Sequence, residues 1–315
     1  MATELELKLM LQPEYLKSAS DFLDEICAQA DDESNSRQPT LNLMNAYYDT
    51  PEATLMQAGM ALRIRAINDK YIQTVKTRGS SRIGMHARGE WEWQLEQDRL
   101  DLTLLNQLPL PDALQDMAWS RQLEEAYRTD FQRQVWNIQL YDTCMEVVCD
   151  HGKVTSPHGE DNICELELEL KSGSELGLYE FALQLAERVP VQISVVSKAQ
   201  KGVRLKQGHI EFPQRPIGTF DTSVLGAYWY EVWLVYWEAM FFMKDEVLLQ
   251  PFRHTLHQMR PFLPSHLDQA LVALDQTLDE LYKAEEDQVL GLLAGLKSVG
   301  SLMLKIGQWL NQQSH

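Results

Sequence analysis

The sequence predicts an α+β protein: a closed antiparallel eight-stranded β-barrel enclosing a tunnel, with flanking helices, followed by an all-α helical bundle. Three observations lead there. Glu4-Leu5-Glu6-Leu7-Lys8 alternates charged and apolar side chains, the period of two that belongs to a β-strand. The same alternation returns from Cys164 to Lys171, placing Glu165, Glu167, Glu169 and Lys171 on one face. Beyond about residue 220, turn signals thin out and helical periodicity takes over. A strand with carboxylates on one face and leucines on the other suits a barrel that is polar within and apolar outside.

After the first strand, residues 13 to 30 read as a helix. Pro13 sits where a first turn tolerates it, and Leu16, Ala19, Phe22, Leu23 and Ile26 form an apolar stripe. A strand over 41 to 49 and a short helix or turn over 52 to 59 follow. Ala61 to Arg65 alternates again, with Arg63 and Arg65 on one face; Asn68-Asp69 supplies a hairpin turn. The strand over 71 to 78 puts Thr74 and Lys76 together. In the strand over 88 to 95, Arg88, Glu90 and Glu92 share one side, and Trp91 and Trp93 the other. Large outward aromatics require a cover, which the insertion over 100 to 125, broken by Pro109 and Pro111, can supply.

Three strands in meander order come next: 129 to 141 with Arg133, 144 to 150 with Glu146, and 163 to 171, with His151-Gly152 expected to turn the chain. A helix over 176 to 189 ends at Pro190, and 193 to 205 closes the domain with Lys198 and Arg204. The expected domains are 1–210 and 219–315, joined by a linker carrying Pro213 and Pro216. Four helices are expected beyond it, over 222–244, 245–262, 265–283 and 285–311. The aromatic run from Tyr228 to Phe242 is interrupted by Glu231 and Glu238, which favours bundle core over a membrane span.

Composition narrows the function. The chain has 315 residues, of which 28 are basic and 46 acidic, for a formal net charge of -18. Such a balance argues against general nucleic-acid binding, and an anionic ligand would need a local basic pocket. Cys27, Cys144, Cys149 and Cys164 form no CxxC pair and suit reduced thiols. With no span long enough for a bilayer and a charged strand at the start, a cytoplasmic location is expected. No GxxxxGK[ST] loop is present, so phosphates would be held by side chains.

Glu4-Leu5-Glu6-Leu7-Lys8 resembles the ExExK signature of the CYTH superfamily, the triphosphate tunnel metalloenzymes. The region up to about Leu205 is similar to that domain along its length, and nearest to the inorganic triphosphatase branch. The resemblance implies metal-dependent hydrolysis of inorganic triphosphate to pyrophosphate and phosphate. Phosphate chains need several fixed cations. Lys8, Arg63, Arg65, Lys76, Arg88, Arg133 and Lys198, expected on separate strands at inward parity, would supply them. Glu4 and Glu6 would hold the Mg²⁺ or Mn²⁺ that grips substrate. Glu165, Glu167 and Glu169 are the further metal ligands, with Lys8, Glu165 and Glu167 expected around the attacking water. Glu90, Glu92 and Glu146 are ligands or counter-charges. Other readings are a thiamine triphosphatase, a class IV type adenylate cyclase, or a polyphosphate-binding protein without turnover. The last part resembles a shortened CHAD domain, whose basic helix would correspond to Arg253, His254, His257 and Arg260; a solvated helix face is the alternative. The final helix packs in the bundle or forms a dimer face, and the oligomeric state stays open.

Overall fold

A computed structural model describes residues 2–29, 34–68, 70–77, 80–82, 85–218, 221–283 and 289–313, leaving aside the side chains of residues 2–4, 80–82 and 86–88. The chain is α+β, as expected. Its strands are β1 (Ala2–Met10), β2 (Ser36–Arg37), β3 (Leu41–Asp49), β4 (Met60–Ile67), β5 (Lys70–Thr77), β6 (Ser80–Arg82), β7 (Met85–Leu95), β8 (Glu124–Leu140), β9 (Thr143–Ser156), β10 (Gly159–Ser172) and β11 (Gln192–Ile193). Among the described residues they make one antiparallel sheet in the order β11-β1-β10-β9-β8-β3-β4-β5-β7-β6, with β2 on β8. β1 pairs with β10, Lys8 opposite Glu167, and also with β7, Leu5 opposite Ala87.

The helices are α1 (Leu16–Gln29), α2 (Thr54–Gln57), α3 (Glu175–Arg188), α4 (Lys198–Gln207), α5 (Thr222–Met243), α6 (Leu249–Met259), α7 (Ser265–Lys283), α8 (Val289–Ala294) and α9 (Lys297–Gln312). Three expectations need correction. His151-Gly152 is not a turn: β9 runs on to Ser156, and Gly152 faces Phe131 of β8 and Ile163 of β10. A Cβ on Gly152 would lie 2.1 Å from the Asp130 carbonyl, so the glycine serves close strand approach. Residues 193 to 205 are mostly helical, because Ser197 and Gln200 form a reciprocal capping box that starts α4 at Lys198. The expected final helix is two, α8 and α9, parted at Gly295-Leu296.

The leucines of the charged strands face outward into a core. Leu7, Leu9, Leu166 and Leu168 are fully buried in one cluster with α1, α3 and the later helices. On the other side, Leu105, Leu114 and Trp119 of the insertion cover Trp91 and Trp93. In α5, Tyr230, Trp233 and Trp237 are fully buried, and both tryptophan rings lie tilted against Phe252 of α6, at 5.8 and 5.6 Å. Among the described residues no helix is long and apolar enough to cross a membrane.

α9 docks on the β11 edge through Gly300. A Cβ there would stand 1.6 Å from the Val191 carbonyl oxygen. Gly300→Ala is therefore expected to push α9 off the sheet edge and cost about 1–3 kcal/mol, the range for overpacking. The urea-unfolding midpoint measures it; an unchanged midpoint would mean that the bundle is not seated there.

Candidate active site

Strand parity brings the inward side chains of β1, β4, β5, β7, β8, β9 and β10 to one cavity of about 540 Å³. Glu6, Lys8, Arg63, Arg65, Lys76, Arg133, Glu167, Glu169 and Lys198 all line it, and so do Glu90, Glu92 and Glu146. Glu165 lies just beneath, 1% exposed, bonded to Lys8 and Lys198. The side chains of Glu4 and Arg88 lie outside the described residues; their backbones are register partners across β1 and β7. Arg63 and Arg65 lie together on β4, as their alternation indicates. One placement differs from expectation: Lys198 reaches the cavity from the first turn of α4 rather than from a strand.

The inner wall is a balanced ionic cluster. Lys8 donates to Glu167 and, at 3.4 Å, to Glu165. Lys198 bonds Glu165, Asp150 at 2.6 Å and Glu167 at 3.0 Å. Arg133 forks onto Asp150 at 2.8 and 2.6 Å and bonds Glu167 at 2.8 Å. Asp150, fully buried, had no role in the sequence reading. Its signal was available, since it shares inward parity with Glu146 on the same strand. Burial would push the Asp150 carboxyl up, but Arg133 and Lys198 hold it below its ordinary value. Glu167 is likewise burdened by burial yet held well below its ordinary value by Lys198, Lys8 and Arg133. Both carboxyls thus stay ionised and act as counter-ions rather than proton acceptors.

The opposite wall is cationic. Arg63 lies 3.6 Å and Lys76 2.9 Å from Glu90. Arg65 has no carboxylate partner among the described residues; its Nε donates to Asn45 Oδ1 at 2.9 Å. Burial, then the charges of Arg63 and Arg133, push Arg65 down to about 9. An anion placed beside Arg65 would relieve that repulsion.

A third feature tests whether a metal fits. Glu6, Glu169 and Glu146 are direct register partners across β1, β10 and β9, three inward carboxylates in one row. Like charges directly opposite destabilise a sheet. Lys171 offsets part of this, 2.7 Å from Glu169 and 3.8 Å from Glu146. Next to that row, oxygens of Asp150, Glu165 and Glu167 come within 4.8 Å of one another. These donors are oxygens only, the ligand type of hard divalent cations, so the residues fit such an ion.

An antiparallel sheet whose inner face gathers arginines, lysines and carboxylates defines a class of charged-cavity protein. The CYTH domain profile matches residues 2–203, and the chain belongs to that family. It is 30% identical over 212 residues to the inorganic triphosphatase of Haemophilus influenzae (strain ATCC 51907 / DSM 11121 / KW20 / Rd), covering 65% of this chain. The chain spans about half, 55%, of that relative's length. Among solved structures it is similar to a putative adenylyl cyclase from Hippeastrum described as having a dominant triphosphatase activity (20% identity, 66% of this chain and 97% of that one, TM-score 0.45). It is also similar to the Mimivirus capping enzyme triphosphatase (12% identity, 59% and 89%, TM-score 0.34).

Arg253 on α6 and Arg260, in the turn just past its end, are both engaged by α7. Arg253 bonds Asp275 at 2.7 Å and Asp279 at 2.8 Å; Arg260 bonds Asp268 at 2.6 Å. His257 lies 3.3 Å from Asp275.

Proposed function

We propose that this protein is a cytoplasmic, metal-dependent inorganic triphosphatase whose eight paired strands act as a closed tunnel. One observation carries the reading: separate strands deliver a phosphate-binding set of cations and a row of carboxylates to the same cavity. The pairing of β1 with both β10 and β7 supports the closed tunnel. The domains are 1–210 and 219–315, the second a shortened CHAD-like bundle. A polyanion on α6 would first have to displace the α7 carboxylates.

Arg63, Arg65, Lys76, Arg88, Arg133, Lys198 and Lys8 bind the oxygens of the phosphate chain. Glu4, Glu6, Glu165, Glu167 and Glu169 are the residues that would hold Mg²⁺ or Mn²⁺. Such an ion supplies Lewis-acid stabilisation of charge on the phosphate oxygens. Lys8, Lys198 and Arg133 exchange carboxylate for phosphate partners, so each keeps a counter-charge and little Coulomb energy is lost. Arg63 and Arg65 hold the chain so that water meets the terminal phosphorus in line. The water oxygen bonds that phosphorus, the bond to the bridging oxygen breaks, its electron pair leaves with pyrophosphate, and the water's proton passes to the departing oxygen or to solvent.

One observation favours a second reading. A cavity of about 430 Å³ adjoins the first and shares Met56, Val195 and Gln200 with it, its walls rich in aliphatic side chains. It offers room for the organic part of an organic triphosphate. Phosphate release from tripolyphosphate, ATP and thiamine triphosphate under Mg²⁺ separates the readings. Tripolyphosphate is expected to be favoured at least about tenfold in kcat/KM, a difference of 1.4 kcal/mol, with activity lost in EDTA. Equal or faster turnover of an organic triphosphate would install the second reading. Tight binding without release would leave a polyphosphate-binding protein.

A further inference from the structure

A buried carboxylate of the helical part engages residues that stand behind the cavity walls. Glu238 is 2% exposed on α5, outside the stretch matched by the CYTH domain. It accepts a hydrogen bond from the Ser194 hydroxyl, and its other oxygen lies 3.7 Å from Arg204 Nη1. A bundle held by packing alone would place a leucine there, since a buried ion contributes little net stability.

Both partners belong to the frame of the site. The Ser194 N–H donates to the Lys8 carbonyl at 2.9 Å, next to the Leu9–Ile193 register pair. Arg204 sits on α4, the helix that begins with Lys198. It also bonds Asp161 of β10 at 2.5 Å and lies 4.2 Å over the Phe242 ring of α5. Arg204 is 5% exposed, and neither its Nε nor its Nη1 has a hydrogen-bond partner among the described residues, so Glu238 holds it through charge rather than through a hydrogen bond. Its place therefore depends on Asp161, Glu238 and Phe242, and two of these come from α5.

We infer that Glu238 is a positioning residue: it ties the backbone beside Lys8 and the helix bearing Lys198 to α5, so that the helical part sets where these two lysines stand in the cavity. Only the kinetic readout of this inference rests on the triphosphatase reading. Glu238→Gln in the full chain keeps the volume and removes the charge. KM for tripolyphosphate is expected to rise about tenfold with kcat within about twofold, the pattern for loss of uniform binding. Glu238→Asp, which keeps the charge, is expected to restore part of the affinity.

A second readout needs no turnover. Labelling with an amine-reactive reagent, quantified by mass spectrometry, is expected to rise at Lys8 and Lys198 in Glu238→Gln while exposed Lys17 stays constant. Unchanged labelling and unchanged KM would overturn the inference. So would a uniform rise at all lysines, which signals general loosening. If the wild-type chain releases no phosphate but Lys8 and Lys198 labelling still rises, the inference stands and the triphosphatase reading falls. Should Glu238→Gln fail to fold, Ser194→Ala is expected to raise Lys8 labelling, and its failure to do so would overturn the proposal.

Discussion

Glu167→Ala is expected to lower triphosphate turnover by at least about 10³-fold while metal-free binding of tripolyphosphate holds or tightens. The two halves of this result have one origin. Glu167 bonds Lys8, Lys198 and Arg133 at once. Removing it leaves these three cations with Glu165 and Asp150 as their closest carboxylate partners, and a phosphate chain gains by that loss of counter-charge. The same change removes a donor from the oxygen cluster that fits a divalent ion. Calorimetry with tripolyphosphate in EDTA and phosphate release under Mg²⁺ read the halves separately. Glu6→Ala is expected to lose turnover as well, because Glu6 faces Glu169 in the carboxylate row. Turnover that survives both substitutions would take these residues out of metal binding.

Asp150→Asn should unfold more easily by about 3–5 kcal/mol, the scale for breaking a buried ion pair by removing one partner. Asp150 is fully buried, and the side chains of Arg133 and Lys198 are only 16% and 8% exposed, so water cannot take its place. Urea unfolding at neutral pH measures the loss. Acid titration gives a second test. The Asp150 and Glu167 carboxyls are both held below their ordinary values in the folded protein. Their contribution is therefore complete above the unfolded carboxyl range, about pH 4, and is lost as pH falls through the lower folded values. Wild-type stability should fall on acidification below that point, and Asp150→Asn should fall less. Parallel acid profiles would show that Asp150 carries no linked stability.

Much of the cavity was legible in side-chain parity. Glu6, Lys8, Arg63, Arg65, Lys76, Arg133, Glu167 and Glu169 meet there because a strand turns alternate residues the same way whatever its partners are. Lys198 reads from the sequence as a strand residue, but the Ser197–Gln200 capping box starts a helix at that point. Asp150 is obscured in the sequence because His151-Gly152 reads locally as a turn. That hid the long strand in which Asp150 faces Arg133 and Glu165.

The alternation of charge and leucine was enough to specify an α+β chain with a charged inner face and an apolar outer one. That pattern is local, and nearest-neighbour geometry converts it into sidedness. Which cation meets which carboxylate is not local. Lys8 meets Glu167 only through the β1–β10 register, and Lys198 joins them only because α4 crosses the neighbouring strands. The tie from Glu238 to Ser194 and Arg204 likewise exists only once α5 packs against that frame. Ion pairs depend on distances between groups far apart in the chain, and periodicity carries no such distance.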